Sequence, residues 1–177
     1  MQDNFEQAFQ WLLDGEGGYV DNPADPGGMT NLGVTKRTWE SYVGHDVTEN
    51  EMRALTPDKV RPLYKARYWD LVSGDKLPAG VDYCVFDTCV NSGPGRAAGI
   101  LQDVLGVTQD NRIGPQTLSA ASKQDAGTII INYTTTRLMY LKGLRTWETF
   151  GGGWEKRVLE VEDQALGMSS AGGAAVS

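Results

Sequence analysis

The chain has 177 residues, 40% of them hydrophobic and 22% charged, enough to bury one sizeable core and short for two independent domains. A formal net charge of -7 without any basic run argues against nucleic-acid binding, which calls for clustered Lys and Arg. One histidine and two cysteines in no zinc or iron-sulfur spacing exclude a His/Cys metal site, so neither metal nor cofactor is expected.

The first residues carry no basic region followed by an apolar one, and no stretch approaches the ~20 apolar residues that span a bilayer. The expectation is a protein made in the cytoplasm without stable membrane insertion. Phe5, Ala8, Phe9, Leu12 and Leu13 recur at helical spacing behind Asp3 or Asn4 as a cap, with Gly15 suited to a left-handed end. From Gly17 to Gly33 the composition turns to Gly, Pro, Asn and Asp, which predicts turns and a short irregular hairpin.

Helical signals then return. Thr35 caps a segment that Gly44 ends, Thr48 and Glu51 form a capping box, and Thr56-Pro57 opens a segment toward Asp70 that Pro62 should kink or divide. Residues 80–91 are apolar almost all round, as in a helix buried on most sides. Cys84 and Cys89 lie on different faces of it and are expected as unbridged buried thiols. Asn91-Ser-Gly-Pro94 breaks this helix and starts another, which Gly106 stops. A turn at Asp110 leads into a short helix, a long one runs from about Lys123 to Thr146 with Ser122 as cap, and a last one runs from about Trp154 to Leu166 after three glycines. The sum is a mainly α fold of seven to nine helices with a small β element near residues 17–34. It reads as one compact domain over residues 1–170, a catalytic half to about residue 90 and a helical half over 91–167, with a flexible tail at 168–177.

The segment Glu16 to Thr35 places carboxylates and a hydroxyl on a glycine-rich turn region directly after the first helix. Glycosidic hydrolysis needs one carboxylic acid to protonate the leaving oxygen and a second group to aim a water or attack the anomeric carbon. Glu16, Asp25 and Thr30 are candidates for those parts, with Asp21 as an alternative second carboxylate. Each has a plainer reading: Glu16 as a solvated residue at a helix end, Asp25 as a turn cap, Thr30 as a hairpin residue. A general acid must stay protonated near neutral pH, which asks a free Glu to rise from about 4.3 to about 6, or roughly 2.7 kcal/mol. A helix C-terminus supplies only ~0.3–1 kcal/mol, so partial burial would have to do most of that work.

The motifs Glu16-Gly-Gly-Tyr19, Asp25-Pro-Gly-Gly28 and Thr30-Asn-Leu-Gly-Val-Thr35 resemble glycoside hydrolase family 108, the muramidases of phage and prophage endolysins in the lysozyme-like superfamily. The resemblance continues through Tyr68-Trp69-Asp70, Leu77-Pro78, Val85-Phe86-Asp87 and Asn91-Ser-Gly-Pro94. Beyond these, Ile113-Gly-Pro-Gln-Thr117 and Gly153-Trp-Glu-Lys-Arg157 echo the family's C-terminal region, often labelled peptidoglycan-binding. It implies cleavage of the β-1,4 bond between N-acetylmuramic acid and N-acetylglucosamine, with Glu16 as the acid. The spacing of Glu16, Asp25 and Thr30 also looks like the Glu, Asp, Thr arrangement of phage-type lysozymes, with the Asp-to-Thr gap one residue shorter here. If Asp25 and Thr30 hold the water together, acid and base should stand ~6.5–9.5 Å apart and configuration should invert; ~5–5.5 Å would favour retention.

Tyr19 is either a hydrophobic plug or a face for a sugar ring. Asp87 and Asn91, four apart on the apolar helix, need polar partners: they either tie down the glycine-rich segment or let Asn91 reach a sugar's N-acetyl group or hydroxyls. Tyr68 and Trp69 read as core or cleft, and His45 as a surface residue. The expected partner is the peptidoglycan glycan strand, met by a monomer in the periplasm after membrane permeabilisation. Rival readings are a non-catalytic peptidoglycan-binding or virion-associated protein, and a chitinase-like or chitosanase-like hydrolase.

Overall fold

The computed structural model describes residues 2–21, 23 and 28–174. It is mainly helical, with nine α-helices and one three-stranded antiparallel sheet among the described residues. The order is α1 (Gln2–Asp14), β1 (Val20–Asp21), β2 (Met29–Asn31), β3 (Val34–Thr35), α2 (Lys36–Val43), α3 (Glu49–Arg53), α4 (Pro57–Tyr64), α5 (Val81–Ser92), α6 (Pro94–Leu105), α7 (Pro115–Lys123), α8 (Ala126–Lys142) and α9 (Trp147–Ala174). The chain divides into two compact units. One spans Glu6–Arg67, and the other joins the chain's start, up to Phe5, to the chain from Tyr68 onward.

In the smaller unit the cap residues act as their chemistry dictates. Thr35, Thr48 and Thr56 each accept a backbone N–H in the first turn of α2, α3 and α4, and Glu51 closes a full capping box on Thr48. Gly44 ends α2 in the left-handed region at φ 84°. Gly15 does not follow suit, since its φ is not positive. Instead α1 tightens at its end, with Gly15 N–H bonded to Leu12 and Glu16 N–H to Leu13, the short-range pattern common at helix ends. Pro62 lies inside α4 and has no N–H to donate. The helix passes at Lys65 into a π-helical turn and then, at Asp70, into a 3-10 turn.

In the larger unit α5 is the central helix, packed on α6, α8 and α9, and residues Val81 to Cys89 are all buried. Trp69 is wholly buried with its indole N–H on Asp75, and its ring meets Phe5 and Phe86 edge to face at 5.5 and 5.4 Å. Cys84 and Cys89 are buried free thiols, and burial pushes both upward, Cys89 to about 12, which keeps them from ionising and reacting. Both ends of the last two helices differ from the sequence pattern, α8 closing at Lys142 short of Thr146 and α9 running past Leu166 to Ala174. The cap of α8 is Asp125, whose carboxylate accepts from the N–H and hydroxyl of Thr128, in place of Ser122. The last helix begins at Trp147 and runs through Gly151, Gly152 and Gly153, where the sequence suggests a break. A Cβ on Gly151 would stand 2.5 Å from the Trp147 ring, so the helix uses the missing side chain as room for an indole.

Candidate active site

Glu16 follows the last turn of α1 in the smaller unit and is half-buried. The residues opposite it come from the β2–β3 hairpin. Asn31 pairs with Val34, leaving Leu32 and Gly33 as a two-residue loop, and both have positive φ, 53° and 77°, the signature of the hairpin turn whose twist matches its strands. Leu32 is an unusual occupant of that conformation. Its carbonyl is anchored by the Tyr64 hydroxyl at 2.8 Å. A methyl on Gly33 would stand 2.6 Å from the Tyr64 oxygen and 3.1 Å from the Glu16 carboxyl carbon. The carboxyl of Glu16 therefore rests against bare backbone, beside a tyrosine that fixes that backbone. Side chains built on Gly17 or Gly18 would meet nothing within 4 Å among the described residues, and neither glycine has a positive φ. Their smallness leaves no described side chain crowding the chain next to Glu16 and is not demanded by the backbone.

Thr30 is the middle residue of the middle strand, paired with Val20 on one side and Thr35 on the other. Alternation along a strand puts these three side chains on one face and Asp21, Met29, Asn31 and Val34 on the other. The hydroxyl of Thr35 is committed to the α2 cap through the N–H and hydroxyl of Thr38. Thr30 is half-buried, and its hydroxyl has no hydrogen-bond partner among the described residues. Asn31 serves structure, its amide donating to the Met52 carbonyl from a buried position. Asp21, on the face opposite Thr30, cannot share a water with it. Asp25 lies outside the described residues.

Tyr19 packs against α3. The Arg53 guanidinium covers its ring at 4.1 Å, and its hydroxyl is buried without a hydrogen-bond partner among the described residues. Burial first, and the nearby Glu49 carboxylate next, push the phenol up. One face of the ring is thus occupied, which favours the plug over an open sugar platform.

In the larger unit Asp87 and Asn91 do share a face, but their partners are cations. Asp87 accepts from Arg137 and Arg157, both at 2.8 Å. The Asn91 amide donates back to the Asp87 carbonyl at 3.1 Å. Burial alone would raise Asp87; the two guanidiniums outweigh it and hold the carboxyl below the ordinary range. Sequence reasoning assigns no role to Tyr64, Arg137 or Arg157. A signal for one existed: Arg137 is the lone charge between Asp125 and Lys142, and a lone cation on one apolar helix asks for a lone anion on another. Tyr64 offered none, because nothing in its spacing marks a contact 32 residues away.

The larger unit also carries a broad cavity of about 750 Å³ between α6 and α8, lined by Arg96, Asp103, Asn111 and Tyr140 among others. A tighter one of about 240 Å³ is bordered by Asn91, Arg137 and Arg157. Among the described residues no group of three or more His, Cys, Asp or Glu side chains stands where it could hold a metal ion. No described helix is long and apolar enough to cross a membrane.

The Glycosyl hydrolase 108 family model matches residues 9–93 of the chain. The solved structure of Brucella abortus SagA is 46% identical, with a TM-score of 0.86, over 96% of this chain and 97% of that one. Among curated proteins no match is found.

Proposed function

We propose that this chain, which belongs to the glycosyl hydrolase 108 family, is a peptidoglycan hydrolase that cleaves the β-1,4 bond between N-acetylmuramic acid and N-acetylglucosamine, with Glu16 as general acid. The observation that carries this reading is the setting of Glu16: a half-buried residue whose carboxyl rests on the backbone of Gly33, beside the Tyr64 anchor and next to two glycines with no described atom crowding them. A carboxyl held partly out of water beside room for a substrate is the arrangement that a protonated donor requires. Asp25, from the adjoining segment, and the unengaged hydroxyl of Thr30 orient the attacking water on the opposite side of the sugar. Tyr19, covered on one face by Arg53, offers a sugar only its other face. The acidic chain gains little from long-range attraction to an anionic wall, so recognition rests on contacts in the cleft. We place its action at the wall after the membrane has been permeabilised.

The test is mass spectrometry of the muropeptides released from purified peptidoglycan by wild type and Glu16→Gln. Wild type should leave new N-acetylmuramic acid reducing ends, and the variant should lose roughly 10²- to 10⁴-fold in rate while unfolding at the same denaturant concentration. Undiminished lysis by a folded Glu16→Gln protein rejects Glu16 as the acid. New N-acetylglucosamine reducing ends would move the cut to the other linkage.

A further inference from the structure

We infer that the cavity bordered by Arg137 and Arg157 is a second ligand site, and that it takes a small carboxylate carried on a short aliphatic group. Three helices of the larger unit build most of it: α5 with Asn91 and Ser92, α8 with Arg137, Tyr140 and Leu141, and α9 with Trp154, Arg157 and Val158. Its volume of about 240 Å³ lies below the ~300–1,000 Å³ of sites for drug-sized ligands. That suits a group of a few heavy atoms and excludes an oligosaccharide.

The chemistry of the lining is set by Arg137. This residue is 4% exposed, and its one hydrogen bond to a described residue runs from Nη1 to Asp87 Oδ2 at 2.8 Å. Its Nε is buried with no hydrogen-bond partner among the described residues. A guanidinium has five donors, and a buried one served by a single acceptor is far from satisfied. Asp87 cannot make up the difference, since its other oxygen accepts from Arg157 Nη2 at 2.8 Å and the Asn91 amide stands 3.4 Å from the first. Both guanidiniums bond this carboxylate at the edge of a cavity that both of them line, and Arg137 is the one left with a buried donor unserved among the described residues. A second carboxylate, with two oxygens spaced for a guanidinium fork, supplies what is missing. The rest of the wall is Ser92, Tyr140, Leu141, Leu144, Trp154 and Val158; its apolar majority favours an anion with an aliphatic substituent over a fully hydrated inorganic one. The end of a short peptide has this chemistry. The inference is independent of the role given to Glu16.

The experiment uses the full chain, labelled with ¹⁵N and followed through the Arg137 Nε–H resonance, at constant ionic strength. Probes are N-acetyl-D-alanine, N-acetyl-L-alanine, N-acetyl-D-alaninamide and inorganic phosphate. Saturable displacement of that resonance by either alanine acid, with the amide and phosphate at least roughly tenfold weaker, supports the site. A preference for the D form would point to a wall peptide as its source, and equal affinity to peptide ends in general. Binding of the amide or of phosphate as tight as that of the acids overturns the assignment, and so does the absence of any saturable shift, which would mean a cavity holding water alone. Substituting Arg137 itself endangers the fold. Leu144→Glu, at a half-buried wall position, leaves the guanidiniums in place and sets a competing carboxylate beside them. It should fold and weaken N-acetylalanine by roughly tenfold or more; unchanged affinity would place the ligand elsewhere.

Discussion

Gly33 is the residue on which the Glu16 setting depends most directly. At φ 77° a side chain is unwelcome in itself, and here it would also meet the Tyr64 hydroxyl and the Glu16 carboxyl. Gly33→Ala is therefore expected to cost about 1–3 kcal/mol of stability. Wall lysis by the protein that remains folded should fall as well, because the methyl displaces the acid. Urea denaturation paired with lysis rates normalised to folded protein measures both; an alanine variant with full activity would show that Glu16 does not rely on this contact. The motif around Gly33 was legible in the sequence, whereas the reason for it was not. A tyrosine 32 residues away bonds the neighbouring carbonyl, and no local pattern announces a partner at that distance.

At the scale of elements, the ion triad joining α5, α8 and α9 outweighs the surface pairs. The Arg53–Glu49 bridge is about half exposed on both sides and is worth ~0.3–0.5 kcal/mol as a helical i,i+4 pair. Asp87 is 1% exposed between its two guanidiniums. Asp87→Asn would remove the charge that both guanidiniums bond, and a loss of about 3–5 kcal/mol is expected; chemical denaturation showing under ~1 kcal/mol would mean that the triad adds little to the packing. The helices themselves were largely readable, because caps are local: Thr35, Thr48, Thr56, Gly44 and Gly106 all stand where a side chain or a left-handed turn settles orphan backbone groups. The errors fell where packing overrides propensity, at α8, which begins at Asp125 and not Ser122, and at α9, which crosses three poor helix formers.

For the molecule as a whole, two buried carboxylates on α5 make stability depend on pH in opposite senses. Burial pushes Asp82 up to about 6 from 3.8, against the opposing pull of the Asn4 amide and the N–H groups of Tyr83 and Gly80. The folded state thus keeps a proton that the unfolded chain has released, and stability declines as pH rises between these two values. Asp87, held below the ordinary range, stabilises above that range and loses its contribution as the solution becomes more acid. Relative to Asp82→Asn, wild type should lose up to roughly 3 kcal/mol between pH 4 and pH 6.5, read from denaturation midpoints across the window. Parallel curves for the two proteins would show that Asp82 ionises in the folded state as it does in the unfolded chain. The passage of α9 through Gly151, Gly152 and Gly153 bears on how the protein can be dissected. Three glycines in a row invite an engineer to place a fusion joint, a truncation or a protease site there. Any of these would sever the longest rod of the molecule in its first half and evict the Trp147 indole from its berth over Gly151.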